Sequence, residues 1–326
     1  MARIIARILV LGIVSAMVSY GQDPSETFST ASLPQPSAAR SNALNLPPVF
    51  RSTAREVNQI FTVQDGHGHP IPDLQRADVE IHDAGKQVAE VAAFRQQTET
   101  PLHIAVAIDL SGSVSTRVKY EVEVSTKFLQ RVLRPGDQGW VMGFNYRSYI
   151  IQDLSRARDS LLGIHRQEPK AATAFYDALS LASTHLANAG GETNHRDVLV
   201  IISDGVDNAS HSNFRDALQT VLRSGVIVLV LYTGSAASTR ELRILGDMTG
   251  GEFFYTFTLG GVLRGLEKAE QAIRGQYLLA YRPPDFQPDG RFRQIDIRPL
   301  RRGLHVRCRK GYFALDVPTA SPQTSK

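Results

Sequence analysis

The chain has 326 residues, 42% of them hydrophobic, and 36 Lys and Arg against 32 Asp and Glu give a formal net charge of +4. Length and apolar content suffice for a sizeable core and for two domains, while so mild a charge gives no argument for nucleic acid as a partner. The single cysteine, Cys308, excludes an internal disulfide, so stability must come from packing.

Arg3 and Arg7 precede an apolar stretch, Ile8 to Val18, and Ser19-Tyr20-Gly21 then offers small residues at the −3 and −1 positions. This predicts a signal peptide over residues 1–21, because the run falls short of the ~20 residues a membrane span needs. A single-pass anchor is the alternative. No cysteine follows the stretch, which excludes a lipid-modified one there. Cleavage after Gly21 would leave 34 basic and 32 acidic side chains, a charge of +2. An exported chain without disulfides fits a periplasmic or extracellular bacterial protein, with no transmembrane anchor once the signal is removed. Residues 22–48 hold Pro24, Pro34, Pro36, Pro47 and Pro48 among many Ser and Thr, which reads as a linker.

Residues 49–98 carry β signals. Val57–Val63, Asp78–Asp83 and Val88–Phe94 read as strands separated by Asp65-Gly66-His67-Gly68 and Ala84-Gly85-Lys86. Three such strands are too few to close a core. Residues 274–316 supply more: Gln276–Tyr281, Arg291–Arg298 and His305–Phe313. The two flanks are expected to pair into one β-sandwich, with two independent small sheets as the alternative. Residues 317–326 read as a disordered tail.

Between the flanks, residues 101–273 alternate strand and helix. The apolar run Ile104–Ile108 reads as a strand buried on both faces. Val118, Val122, Leu129, Val132 and Leu133 then recur at helical spacing until Pro135-Gly136. Trp140–Phe144 and Tyr149–Gln152 are too close in sequence for a parallel crossover and so predict an antiparallel hairpin. The strand Val198–Ile202, the helix Asn213–Arg223, the strand Val226–Tyr232, the helix Thr239–Met248, the strand Gly251–Tyr255 and the helix Leu259–Arg274 complete the unit. Alternation of this kind predicts an α/β fold, a doubly wound, mostly parallel sheet inserted between the β segments.

Chemistry concentrates where two buried strands end. Asp109-Leu110-Ser111-Gly112-Ser113 follows the first, and Ser203-Asp204-Gly205 follows the second; Ala172-Thr173 stands just before an amphipathic helix between them. Ligand sites of open α/β sheets lie at the carboxyl ends of strands. A carboxylate and two hydroxyls on one turn can face a hard cation such as Mg²⁺, which takes oxygen ligands and keeps several waters. Asp109, Ser111, Ser113, Thr173 and Asp204, in this order, resemble the metal-ion-dependent adhesion site (MIDAS) of the von Willebrand factor type A (VWA) domain. Further stretches, Val63-Gln64-Asp65, Gly68-His69-Pro70-Ile71-Pro72-Asp73-Leu74 and Val306–Phe313, are similar to the bacterial VWFA-related domain proteins.

The resemblance implies roles. Ser111 and Ser113 would bind the ion directly, Asp109 and Asp204 mainly through waters, and Thr173 by either route. It implies a partner protein that presents Asp or Glu to the open coordination position. Oxygen donors of low total charge favour Mg²⁺ or Mn²⁺, with Ca²⁺ a third candidate. Asp207 and Asn208 would order the loop around the ligands, or serve plain turn chemistry. Ala172 stands where many relatives have Gly, which narrows the freedom of the Thr173 loop.

Two other readings compete with adhesion. A metal-dependent hydrolase would need a general base, and His165, His185, His195 and His211 are scattered, with His211 nearest Asp204 in sequence. A scaffold reading rests on residues 291–310, which carry eight Lys and Arg against the single acid Asp296. There Arg293, His305, Arg307 and Arg309 would form a face for an anionic polymer or surface, with Val306 and Cys308 turned inward.

Overall fold

A computed structural model of the chain describes residues 56–96, 100–111, 115–153, 172–189, 195–234 and 239–315. The expected signal peptide, linker and tail, and the candidate residues Ser113 and His165, lie outside these. The elements in chain order are β1 (Val57–Gln64), β2 (Val79–Asp83), β3 (Lys86–Gln87), β4 (Val91–Gln96), β5 (Leu102–Asp109), α1 (Ser115–Val132), β6 (Gln138–Phe144), β7 (Ser148–Asp153), α2 (Phe175–Ala189), β8 (Arg196–Ser203), α3 (Phe214–Ser224), β9 (Ile227–Tyr232), α4 (Arg240–Thr249), β10 (Glu252–Tyr255), α5 (Leu259–Arg274), β11 (Gln276–Tyr281), β12 (Phe292–Pro299), β13 (His305–Cys308) and β14 (Gly311–Phe313).

The fold is α/β. A six-stranded sheet runs in the order β10-β9-β8-β5-β6-β7, parallel throughout except for β7, which pairs antiparallel with β6 as the short connection requires. Strands β5, β8 and β9 are buried along their whole length, which is why they read as unbroken apolar runs. Alternation divides their side chains between two cores. Ile104, Val106, Ile108, Val198, Val200 and Ile202 pack beneath α1 and α5. Ala105, Ala107, Leu199 and Ile201 pack beneath α2, α3 and α4. Helix α3 shows why such segments are helical: Asn213 accepts a hydrogen bond from the Asp216 N–H at its start, and Gly225, at φ 79°, ends it in the left-handed conformation.

The flanks form two four-stranded antiparallel sheets, ordered β13-β1-β11-β4 and β14-β12-β2-β3. Each sheet combines strands from before and after the central unit. Strand β1 pairs with β11 and β13, and β2 pairs with β12. A shared core joins them, with Val57, Phe61, Val63 and Leu279 from one sheet and Val79, Ile81, Ile295 and Ile297 from the other. Inside it the Tyr281 and Tyr312 hydroxyls donate to Asp83 Oδ2 at 2.7 and 3.1 Å, which satisfies a carboxylate whose pKa burial raises.

Two expected strands differ. Val88–Phe94 starts late: β4 begins at Val91, and the preceding Lys86–Gln87 forms a separate short strand, β3. His305–Phe313 is not one strand: β13 belongs to the first sheet and β14 to the second. The chain changes sheets at Arg309-Lys310, and Gly311 makes the turn possible, because a Cβ there would lie 2.1 Å from the Arg293 carbonyl oxygen.

Cys308 lies in the shared core, and burial pushes its thiol pKa up to about 11 from 9.0. At pH 8 this leaves roughly a hundredfold less thiolate than an ordinary thiol. Iodoacetamide is therefore expected to label Cys308 only after unfolding, which mass spectrometry with and without urea would read; rapid labelling of the native protein would show that the strand opens.

Candidate metal-ion site

Strands β5 and β8 are adjacent, with Ile108 opposite Ile202, so Asp109 and Ser203 leave the sheet side by side. The Ser203 hydroxyl donates to Asp109 Oδ2 at 2.7 Å. The Ser111 N–H and hydroxyl donate to Oδ1 at 2.9 and 2.6 Å. Asp109 is only 8% exposed. Burial raises its pKa, the donors Ser111 and Ser203 oppose that rise, and the charge of Asp204 adds to it. Glu121 of α1, itself buried and paired with Arg117 at 2.9 Å, also feels the Asp109 charge.

Asp204 begins the next turn, where its Oδ1 accepts the Val206 N–H at 3.1 Å and the Gly205 N–H bonds Ser203 Oγ at 3.0 Å. Gly205 takes φ +71°, a conformation few side chains tolerate. Gly234, after β9, packs so closely on the turn that a Cβ would lie 2.8 Å from the Asp204 Cβ.

The Thr173 loop is fastened to this turn. The Thr173 N–H donates to Asn208 Oδ1 at 2.7 Å, and the N–H groups of Asn208 and Ala209 return bonds to the Thr173 carbonyl at 3.0 and 3.1 Å. Asp207 accepts the Phe175 N–H at 2.8 Å at the start of α2, where a negative charge also complements the helix dipole. Asp177, in the first turn of α2, accepts bonds from the N–H groups and side chains of His211 and Ser212. Burial opposes it, yet these bonds hold its carboxyl well below the usual range. Asp109, Ser111 and Asp204 thus lie at the carboxyl end of the central strands, and Asp207 and Asn208 tie the Thr173 loop to them.

Ser203 was not among the candidates, though its hydroxyl bridges Asp109 and the Gly205 N–H. Its place as the last residue of a buried strand, beside the carboxylate of the neighbouring strand, is the signal that could have found it.

The expected basic face is corrected. Arg309 does not share a surface with Arg307: it follows the end of β13 and is 6% exposed, and its Nη2 donates to the Leu222 carbonyl in the last turn of α3 at 2.7 Å. Burial lowers its pKa to about 10. Arg307 lies 3.4 Å from Glu252 and 3.9 Å from Asp247, and Arg293 lies 2.8 Å from Asp289, so acids from other segments neutralise the row. His305 remains exposed on β13.

Residues 104–206 match the family model described as the von Willebrand factor type A domain. A curated relative, calcium-activated chloride channel regulator 1 of Bos taurus, is 26% identical over 159 residues, which span 47% of this chain and 17% of that protein. Among solved structures, the von Willebrand factor type A protein from Catenulispora acidiphila gives a TM-score of 0.46 at 13% identity, over 82% of this chain and 75% of that one. Proximal thread matrix protein 1 from the mussel byssus, with a zinc-occupied MIDAS motif, gives 0.44 at 16% identity, over 58% of this chain and 50% of that one.

Proposed function

Taking residues 104–206 as a von Willebrand factor type A domain, we propose that this chain is an exported, metal-dependent interaction module rather than an enzyme. Asp109, Ser111, Ser113, Thr173 and Asp204 hold a divalent cation, Mg²⁺ or Mn²⁺, whose remaining coordination position takes an Asp or Glu carboxylate of a partner protein. The observation that supports this reading most is the state of Asp109: a buried carboxylate, met by hydroxyl and N–H donors and by the like charge of Asp204. A buried carboxylate beside a second carboxylate, among oxygen donors, suits a hard cation.

A bound ion would supply positive charge toward an incoming acid. The chain's own residues would do the rest: Ser111 and Ser203 hold the Asp109 carboxyl in place, and Asn208 holds the Thr173 loop. Of the histidines considered as a base for hydrolysis, His211 lies 2.9 Å from Asp177 and is committed to the loop. Among the described residues no helix is long and apolar enough to cross a membrane.

The test is retention of the protein on immobilised Asp- and Glu-containing peptides, in Mg²⁺ and in EDTA. Retention is expected only with Mg²⁺, and is expected to disappear in Asp204→Ala and on peptides carrying Asn or Gln instead. Equal retention in EDTA would sink the proposal and return attention to the sandwich.

A further inference from the structure

The opposite end of the central sheet holds a second cluster. In the pairing of β5 with β8, His103 stands opposite Asp197. His195 lies two residues before Asp197, so the two-residue strand repeat carries its side chain to the same side. Register and spacing alone therefore gather two imidazoles and a carboxylate. Their ligand atoms all fall within 4.8 Å of one another. His103 Nδ1 lies 3.6 Å from Asp197 Oδ1, and His195 Nε2 lies 3.3 Å from Asp197 Oδ2. The two rings stack at 4.1 Å, and the Trp140 ring stands perpendicular to His103 with centroids 6.1 Å apart.

We propose that His103, His195 and Asp197 form a binding site for a transition-metal ion of the Zn²⁺ class, separate from the oxygen-donor site at Asp109. Three observations carry it. The side chains are nearly closed to solvent, at 3%, 8% and 6% exposure. Two of the polar atoms, His103 Nδ1 and Asp197 Oδ1, are buried with no hydrogen-bond partner, a costly arrangement that asks for an explanation. The spacing also fits a shared ion. Two ligands at about 2.05 Å from a tetrahedral Zn²⁺ lie about 3.35 Å apart; each imidazole stands 3.6 or 3.3 Å from its own oxygen of Asp197, so the ion would draw on both carboxylate oxygens.

The donor set selects the metal. Neutral imidazoles with one carboxylate suit Zn²⁺ and its neighbours, whereas Mg²⁺ and Ca²⁺ prefer oxygen alone. Charge balance points the same way, because a buried carboxylate needs a positive partner and imidazoles stacked this closely repel one another when both are protonated. The ion would fasten the start of β5 to the segment entering β8. The six residue steps from His103 to Asp109 span about 20 Å, so the two sites lie at opposite ends of the sheet and neither reading depends on the other.

The test starts from the full chain carrying Asp109→Ala. Calorimetric titration with Zn²⁺ is expected to give one site per chain that excess Mg²⁺ does not displace. Adding His195→Gln and Asp197→Asn is expected to weaken it by at least about 100-fold, more than the loss of an outer-shell partner costs. Because those substitutions change buried groups, Zn²⁺-soaked crystals of the unaltered protein provide a second readout. An anomalous peak between His103, His195 and Asp197 is expected. A peak only elsewhere, for instance at the exposed His67 and His69, would overturn the assignment. So would Zn²⁺ binding that persists unchanged in the double substitution.

Discussion

In Asp109→Ala, the thermal stabilisation that Mg²⁺ confers on the native chain is expected to vanish. An ion at 100 times its Kd stabilises the state that binds it by about 2.7 kcal/mol. For a unit of this size that corresponds to roughly 5–10 °C in Tm. The apoprotein should respond less. Removing the carboxylate takes the acceptor from the Ser111 and Ser203 hydroxyls, but it also relieves burial of a charge and its repulsion by Asp204. Melts in EDTA and in Mg²⁺, run beside each other on both proteins, separate the two contributions. An equal Mg²⁺ shift in the variant would place the ion elsewhere and remove the proposed site. The imidazole cluster at the other end of the sheet would not confound the result, since Mg²⁺ is a poor match for it.

Replacing Arg196 by Met is expected to cost about 3 kcal/mol of stability, read from urea unfolding. Arg196 is 7% exposed and binds both strands of chain that join the central unit to the sandwich. On the entering side its Nε donates to the Thr100 carbonyl at 3.2 Å, and its backbone N–H to that of Pro101 at 2.8 Å. On the leaving side its Nη1 donates to the Ile273 carbonyl at 3.1 Å and to Gln276 Oε1 at 2.8 Å. Burial brings its pKa down to about 10, so it is still charged at neutral pH. Met fills similar space but removes the guanidinium donor from three acceptors, each such bond worth about 1–3 kcal/mol when buried. A cavity lined by Thr100, Pro101, Arg196 and Ile273 adjoins them and lets water recover part of the loss. Lys should not rescue the variant, because one ammonium cannot reproduce the fork that spans both connections. A cost under 1 kcal/mol would mean that water replaces the guanidinium and that the junction is held by packing alone.

The sequence made some of this legible and hid the rest for physical reasons. Strands β5, β8 and β9 announce themselves because burial on both faces demands apolar residues throughout, and the polar residues at their ends then stand out. The antiparallel β7 followed from the shortness of its connection to β6. Contacts that depend on register were not legible. His103 and Asp197 are 94 positions apart, and only the pairing of β5 with β8 makes them neighbours; the His195-x-Asp197 spacing on one face was the local hint. The turn inward at Arg309 was hidden for a similar reason. Alternation predicts a continuous strand with Arg307 and Arg309 on one side, but the chain leaves β13 after Cys308 and crosses to another sheet. What decides the fate of Arg309 is the carbonyl end of α3, more than 80 residues earlier, which accepts its guanidinium.

The pairing of early with late strands in the flanks has a consequence for how the molecule comes into being. Strand β1 precedes the central unit in the chain, yet both of its partners, β11 and β13, come more than 200 residues later. Pairings of such high contact order form slowly, and until they form the early strands present unpaired edges and apolar side chains to their surroundings. The central unit, whose strands are joined by much nearer neighbours in the chain, need not wait for them. Nascent protein should therefore pass through a stage with a folded middle and two sticky ends, which is the stage at which a chaperone or a protease would meet it.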